Sequence, residues 1–61
     1  MRYKIIRYYL NRRRVIKSGL TLQEAEKHCN NPETSYRTCT SAAGKRRTRL
    51  YGMWFDGYTA E

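Results

Sequence analysis

The sequence predicts an α+β domain of ββαβ type: a three-stranded antiparallel sheet in the order 2-1-3, with one short helix packed on one face. Three observations predict it. Residues 2–10 and 14–18 are two runs rich in aromatic and β-branched types, separated by Asn11-Arg12-Arg13. The stretch Leu20-Thr21-Leu22-Gln23-Glu24-Ala25-Glu26-Lys27-His28-Cys29 carries a full set of helix-start signals and is stopped by Asn30-Asn31-Pro32. After a polar loop, residues 45–51 form a third extended candidate.

The first strand contains no breaker, and Gly19 closes the second. A three-residue turn at 11–13 pairs Leu10 with Arg14, Tyr8 with Ile16 and Ile6 with Ser18. One face then carries Ile6, Tyr8, Leu10 and Ile16. The other carries Tyr3, Ile5, Arg7, Tyr9, Val15 and Lys17. In the helix, Thr21 is an N-cap whose hydroxyl accepts from the first turn, and Glu24 reaches back to complete a capping box. Leu20 and Ala25 occupy the positions of a hydrophobic staple. The helix runs over about residues 22–29. Leu22, Ala25 and Cys29 share a stripe that should cover the Ile6 face of the hairpin, while Gln23, Glu26 and Lys27 face water. Asn30 suits a left-handed C-terminal position, and the residue before Pro32 is driven out of helical space.

Residues 30–44 read as a long hydroxyl-rich loop whose Ser and Thr close local turns. Residues 45–51 then return beside the first strand, with a bend at Gly52. Met53-Trp54-Phe55 closes the core edge, Asp56-Gly57 forms a turn, and residues 58–61 form a tail.

Size and charge bound the function. Sixty-one residues make one small basic domain, residues 1–61, which buries only roughly 60% of its unfolded surface. Thirteen Lys and Arg stand against five Asp and Glu, for a net charge of +8, and nine of the thirteen are Arg. This balance calls for an anionic partner: nucleic acid first, an acidic protein second. No apolar run is long enough to span a bilayer, and Met1-Arg2-Tyr3-Lys4 leads straight into a strand rather than a leader. No membrane partner is expected, and the expected compartment is the cytoplasm, where thiols stay reduced.

The candidate nucleic-acid site combines three groups. Tyr3, Arg7, Tyr9 and Lys17 lie on the face assigned to solvent. Arg12, Arg13 and Arg14 lie at the hairpin tip. Lys45, Arg46, Arg47 and Arg49 enter the third strand. Cations hold phosphates, tyrosine rings stack on bases, and a ribbon with Arg at its tip fits a groove. The competing reading is a half-buried strand with a solubilising turn.

No metal is expected. Cys29 and Cys39 have nine residues between them, there is one His, and adjacent helix positions diverge by about 100°. The cysteines read as a buried and a loop thiol. A Cys29–Cys39 disulfide in an oxidising setting is the alternative. Catalysis is not expected either, nor is a cofactor. His28 has no orienting third group, there is no Gly-rich phosphate loop, and so small a fold has little room for a water-excluding cleft. A free edge strand and a thin core invite a homodimer.

Three strings, Gly19-Leu20-Thr21-Leu22-Gln23-Glu24-Ala25, His28-Cys29-Asn30-Asn31-Pro32-Glu33-Thr34-Ser35 and Trp54-Phe55-Asp56-Gly57-Tyr58, together resemble small uncharacterised proteins of tailed bacteriophages, especially those of actinobacteria. The resemblance covers nearly the whole chain in order. It implies a phage product in the host bacterial cytoplasm and carries over no site residue. By analogy it favours a binder over an enzyme: a nucleic-acid-binding protein, or alternatively a host-takeover or anti-defence protein on an acidic bacterial surface, or third a minor virion component.

Overall fold

β1 (Tyr3–Tyr9) holds the two aliphatic residues best shielded from water in the sheet, Ile5 and Ile6, and lies at its centre. A computed structural model describes residues 1–61. β2 (Arg13–Leu20) and β3 (Trp54–Ala60) flank β1, both antiparallel, in the predicted order β2-β1-β3. The fold is an open-sheet α+β arrangement with two helices rather than one: α1 (Leu22–Cys29) and α2 (Ala42–Tyr51).

α1 starts as its sequence requires. Glu24 N donates to Thr21 Oγ1 at 3.2 Å, and Thr21 N donates to Glu24 Oε1 at 2.9 Å. The backbone bond to Thr21 is the main cause that holds the Glu24 carboxyl below the usual range. Ala25 is its buried residue, with Cys29 half-buried and Leu22 exposed. The helix ends on Asn30 in right-handed, not left-handed, geometry, its N–H bonded to the Glu26 carbonyl and that of Asn31 to the His28 carbonyl.

The stretch 45–51 is helical, not extended. Lys, Arg and Leu are good helix formers, and both ends are capped. Ser41 Oγ accepts from Gly44 N at 3.0 Å. Gly52, at φ +78°, terminates the helix by donating its N–H to Thr48 O. Its inward stripe is Gly44, Arg47, Thr48 and Tyr51, at helical spacing. That stripe has no aliphatic residue, which is why hydrophobic periodicity did not reveal it. The third strand is instead Trp54–Ala60, so Asp56-Gly57 lies inside a strand and not in a turn.

The hairpin turn is one residue tighter than expected, and the faces are exchanged. Tyr9 N donates to Arg12 O at 2.7 Å, and Tyr8 faces Arg13, with Ile6 opposite Val15. An extra residue, Ile16, interrupts the ladder between Val15 and Lys17, and a second irregularity falls near Gly19 at φ +68°. Both helices cover the face of Ile5, Arg7 and Tyr9. The strand across from these residues decides the matter: Trp54 lies opposite Tyr9, and Asp56 opposite Arg7. Trp54 is fully buried, donating Nε1–H to Thr48 Oγ1 of α2 at 2.9 Å. Only seven of the 61 residues are buried, so this indole and Ile5 are most of the core.

Candidate nucleic-acid interface

The covered face holds one carboxylate at its centre. Asp56, buried in β3, accepts from Arg7 Nε at 2.7 Å and Arg7 Nη2 at 3.0 Å, a bidentate pair. His28 Nε2 from α1 bonds its second oxygen at 3.0 Å. Since an ionised carboxylate only accepts, Nε2 carries the proton. The Asp56 bond is the main cause that raises Arg7 above its ordinary value. Asp56 thus ties β1, β3 and α1 together. Its role was not legible in a sequence that paired it with Gly57 as a turn.

Of the eleven predicted site residues, five come together at the hairpin-tip end of this face: Arg7, Tyr9, Arg12, Arg14 and Arg47. The guanidinium groups of Arg7 and Arg47 lie 5.2 Å and 4.6 Å from the Trp54 ring centroid. Arg12 lies 5.4 Å from the Tyr9 centroid and 5.7 Å from that of Tyr51, and the two tyrosines meet edge-on at 5.2 Å. Arg14 stands opposite Arg7 on the edge strand, exposed. The contact of Arg12 and Tyr9 with Tyr51 joins the tip to α2. There Lys45, Arg46 and Arg49 are all exposed, and at their helical spacing they form an outward face. Tip and helix thus meet at Tyr51, with exposed cations on either side of it.

The remaining three lie elsewhere. Arg13 projects to the opposite sheet face, with Tyr8. Tyr3 and Lys17 sit at the far end of the helix-covered face, Tyr3 packed edge-on against Tyr58 at 6.1 Å. The face of Tyr3, Arg7 and Tyr9 is therefore not the open one. Arg7 and Tyr9 are half-buried, and Arg7 is bound to an acid, so the open surface expected there does not exist in that form. Tyr51 was missed because residue 51 was placed in a strand. Its helical i+4 relation to Arg47 was the signal that would have found it.

Four of the five acids have internal partners; Glu26 is exposed without one. Glu33 accepts from Thr40 N at 2.9 Å, Thr40 Oγ1 at 2.8 Å and Ser41 N at 3.0 Å, which holds its carboxyl at about 2, the backbone bond to Thr40 contributing most. Glu24 is occupied by Thr21, and Glu61 accepts from Gly19 N at 2.9 Å. Among thirteen Lys and Arg, only Arg7 has a carboxylate within ion-pairing reach. Cys29 and Cys39 are free, and burial pushes the Cys29 thiol up. No three His, Cys, Asp or Glu side chains cluster as a metal site would require, and no helix is long and apolar enough to cross a membrane.

No protein-family model, no curated protein and no solved structure matches the chain.

Proposed function

We propose that the protein binds nucleic acid through the surface formed by the hairpin tip and the outer side of α2. Arg12, Arg14, Lys45, Arg46 and Arg49 hold phosphates, and exposed Tyr51 lies between the two groups. One observation carries this reading: Asp56, the one acid within ion-pairing reach of a Lys or Arg, is held by Arg7, so the surface cations have no carboxylate beside them. Guanidinium groups so left recruit anions, and a phosphate polymer supplies many at once. Binding rather than catalysis is the proposed mode. His28 is committed to Asp56, and a Cys29 thiol raised by burial is a poor source of thiolate. The three phage-like strings support a site of action in the cytoplasm of an infected bacterium.

The test is anisotropy of a labelled duplex and a labelled single strand at rising salt. Duplex affinity should fall with a log–log slope of about −0.9 per phosphate neutralised. Reversing charge in Arg12→Glu/Arg14→Glu should weaken binding and flatten the slope. If neither nucleic acid binds at low salt, the proposal fails.

A second reading has its own observation. Leu10, Met53 and Phe55 are exposed side by side along an apolar cleft near the tip. Such a patch beside cations suits an acidic protein surface, as a host-takeover or anti-defence protein would need. Phe55, not buried Trp54, would be its anchor. Pull-down from nuclease-treated lysate separates the two: a stoichiometric protein that survives nuclease favours the second reading. Detection of the chain in purified particles would favour a minor virion role.

A further inference from the structure

The sheet face turned away from both helices is bare. At its tip end the cross-strand pair Tyr8 and Phe55 stacks, with ring centroids 5.0 Å apart and planes 23° from parallel. Phe55 is 52 % exposed. Gly57 makes the arrangement fit. A Cβ at that position would come within 3.2 Å of Tyr8 Cε2, so the absent side chain leaves room for the tyrosine ring to lie across β3. Arg13 stands opposite Tyr8 on the other side, giving a row Arg13, Tyr8, Phe55 across the sheet. Four residues back along β1, about 13 Å at strand rise, Lys4 lies opposite Thr59. A shallow groove of about 530 Å3 connects the two cations over Ile6 and Val15, and no carboxylate lines it. Neither cation has an acidic partner.

We propose that this face binds single-stranded nucleic acid, with bases laid against the Tyr8–Phe55 pair and phosphates held by Arg13 and Lys4. The inference rests on the reading of the chain as a nucleic-acid binder and adds the strand state and the second surface. An exposed aromatic ring stacks on any base, but a duplex hides its base faces in its own stack. Phosphate-holding cations at both ends of the groove match a backbone that runs past the rings. A second copy of the chain fits less well. Docking two such faces would bring four cations together with no carboxylate among them, and like charges in an interface are repelled.

Anisotropy titrations with fluorescein-labelled oligothymidylate, and with a mixed-sequence duplex of the same length, test this. Phe55→Ala should weaken oligothymidylate binding about fivefold or more, the worth of one stacked base, and leave duplex binding unchanged. Phe55→Tyr, which keeps a ring, should bind like the wild type. Arg13→Ala should reduce the single-strand salt slope by about 0.7. Far-UV circular dichroism of each variant checks that the half-exposed positions leave the fold intact. Equal losses on strand and duplex, or no loss in Phe55→Ala, overturn the inference. If the duplex binds in a salt-dependent way while Phe55→Ala leaves the strand unaffected, this inference alone falls. If the wild type binds neither probe, the parent reading falls with it. A concentration-dependent dimer in sedimentation that Phe55→Ala dissolves assigns the face to a second copy and also overturns the inference.

Discussion

Replacing Asp56 by leucine removes the one carboxylate that joins three elements. Its side chain is fully buried, while that of Arg7 keeps 16 % of its surface in water. Breaking a buried pair by removing one partner costs about 3–5 kcal/mol, because the other charge stays behind. Partial access to water lets Arg7 rehydrate somewhat, which places Asp56→Leu near the lower end, about 3 kcal/mol. His28, 21 % exposed, can also turn to solvent. A chain of this length has a total stability of roughly 3–9 kcal/mol. The variant should therefore lose a third or more of its stability, and its Tm should drop by roughly 12–24 °C. The double variant Arg7→Met/Asp56→Leu removes both charges and replaces them with apolar volume. Such swaps are often neutral or stabilising, so the double variant should lie close to wild type and well above the single. Urea and thermal unfolding, followed by circular dichroism and by Trp54 emission, supply the four corners of the cycle. A single variant that costs under about 1 kcal/mol, or a double variant as unstable as the single, would refute the argument that this carboxylate exists to neutralise Arg7.

Gly44→Ala should destabilise, although alanine is the better helix former, because the new Cβ would lie 2.8 Å from Cys39 Cβ and 3.2 Å from Ser41 Oγ; overpacking costs about 1–3 kcal/mol, measured by urea midpoint. Thr48→Val should leave the Trp54 N–H without an acceptor, lowering stability by about 1–3 kcal/mol and shifting indole emission. Glu33 has its folded carboxyl at about 2 against an ordinary 4.5, so its contribution is complete above pH 4.5 and disappears as pH falls toward 2; Glu33→Gln should lower the Tm at neutral pH and flatten its dependence across that acid window. Arg46→Ala/Arg49→Ala, on the outer side of α2, should leave the Tm unchanged and reduce the duplex salt slope by up to about 1.8.

Local chemistry was legible where it acts over a few residues. The Thr21–Glu24 capping box, the Asn-Asn-Pro stop and the bounds of α1 follow from bonds made within one turn of chain, and the structure has them. The helix α2 was legible in part. Ser41 and Gly52 are cap residues, but the inward stripe of Gly44, Arg47, Thr48 and Tyr51 has no apolar repeat to announce it. Of the candidate site, the basic tip Arg12–Arg14 and the run of cations at 45–49 were visible as charge. That Tyr51 links them was hidden by a strand assignment.

The sequence by itself determined the central strand, the order 2-1-3, the first helix with its cap and the large positive charge, since each rests on composition, on local hydrogen bonding or, for the order, on a connection after the helix long enough to bring the last strand beside the first. Which side of the sheet is covered was decided only by the tertiary structure. Alternation places Arg7 with polar residues facing water, but β3 brings Asp56 opposite it and Trp54 beside it, and a paired guanidinium under an indole can be covered where a lone one cannot. That long-range pairing, across 49 residues of chain, turned the expected open face inward and left Tyr8, Phe55 and Arg13 outside.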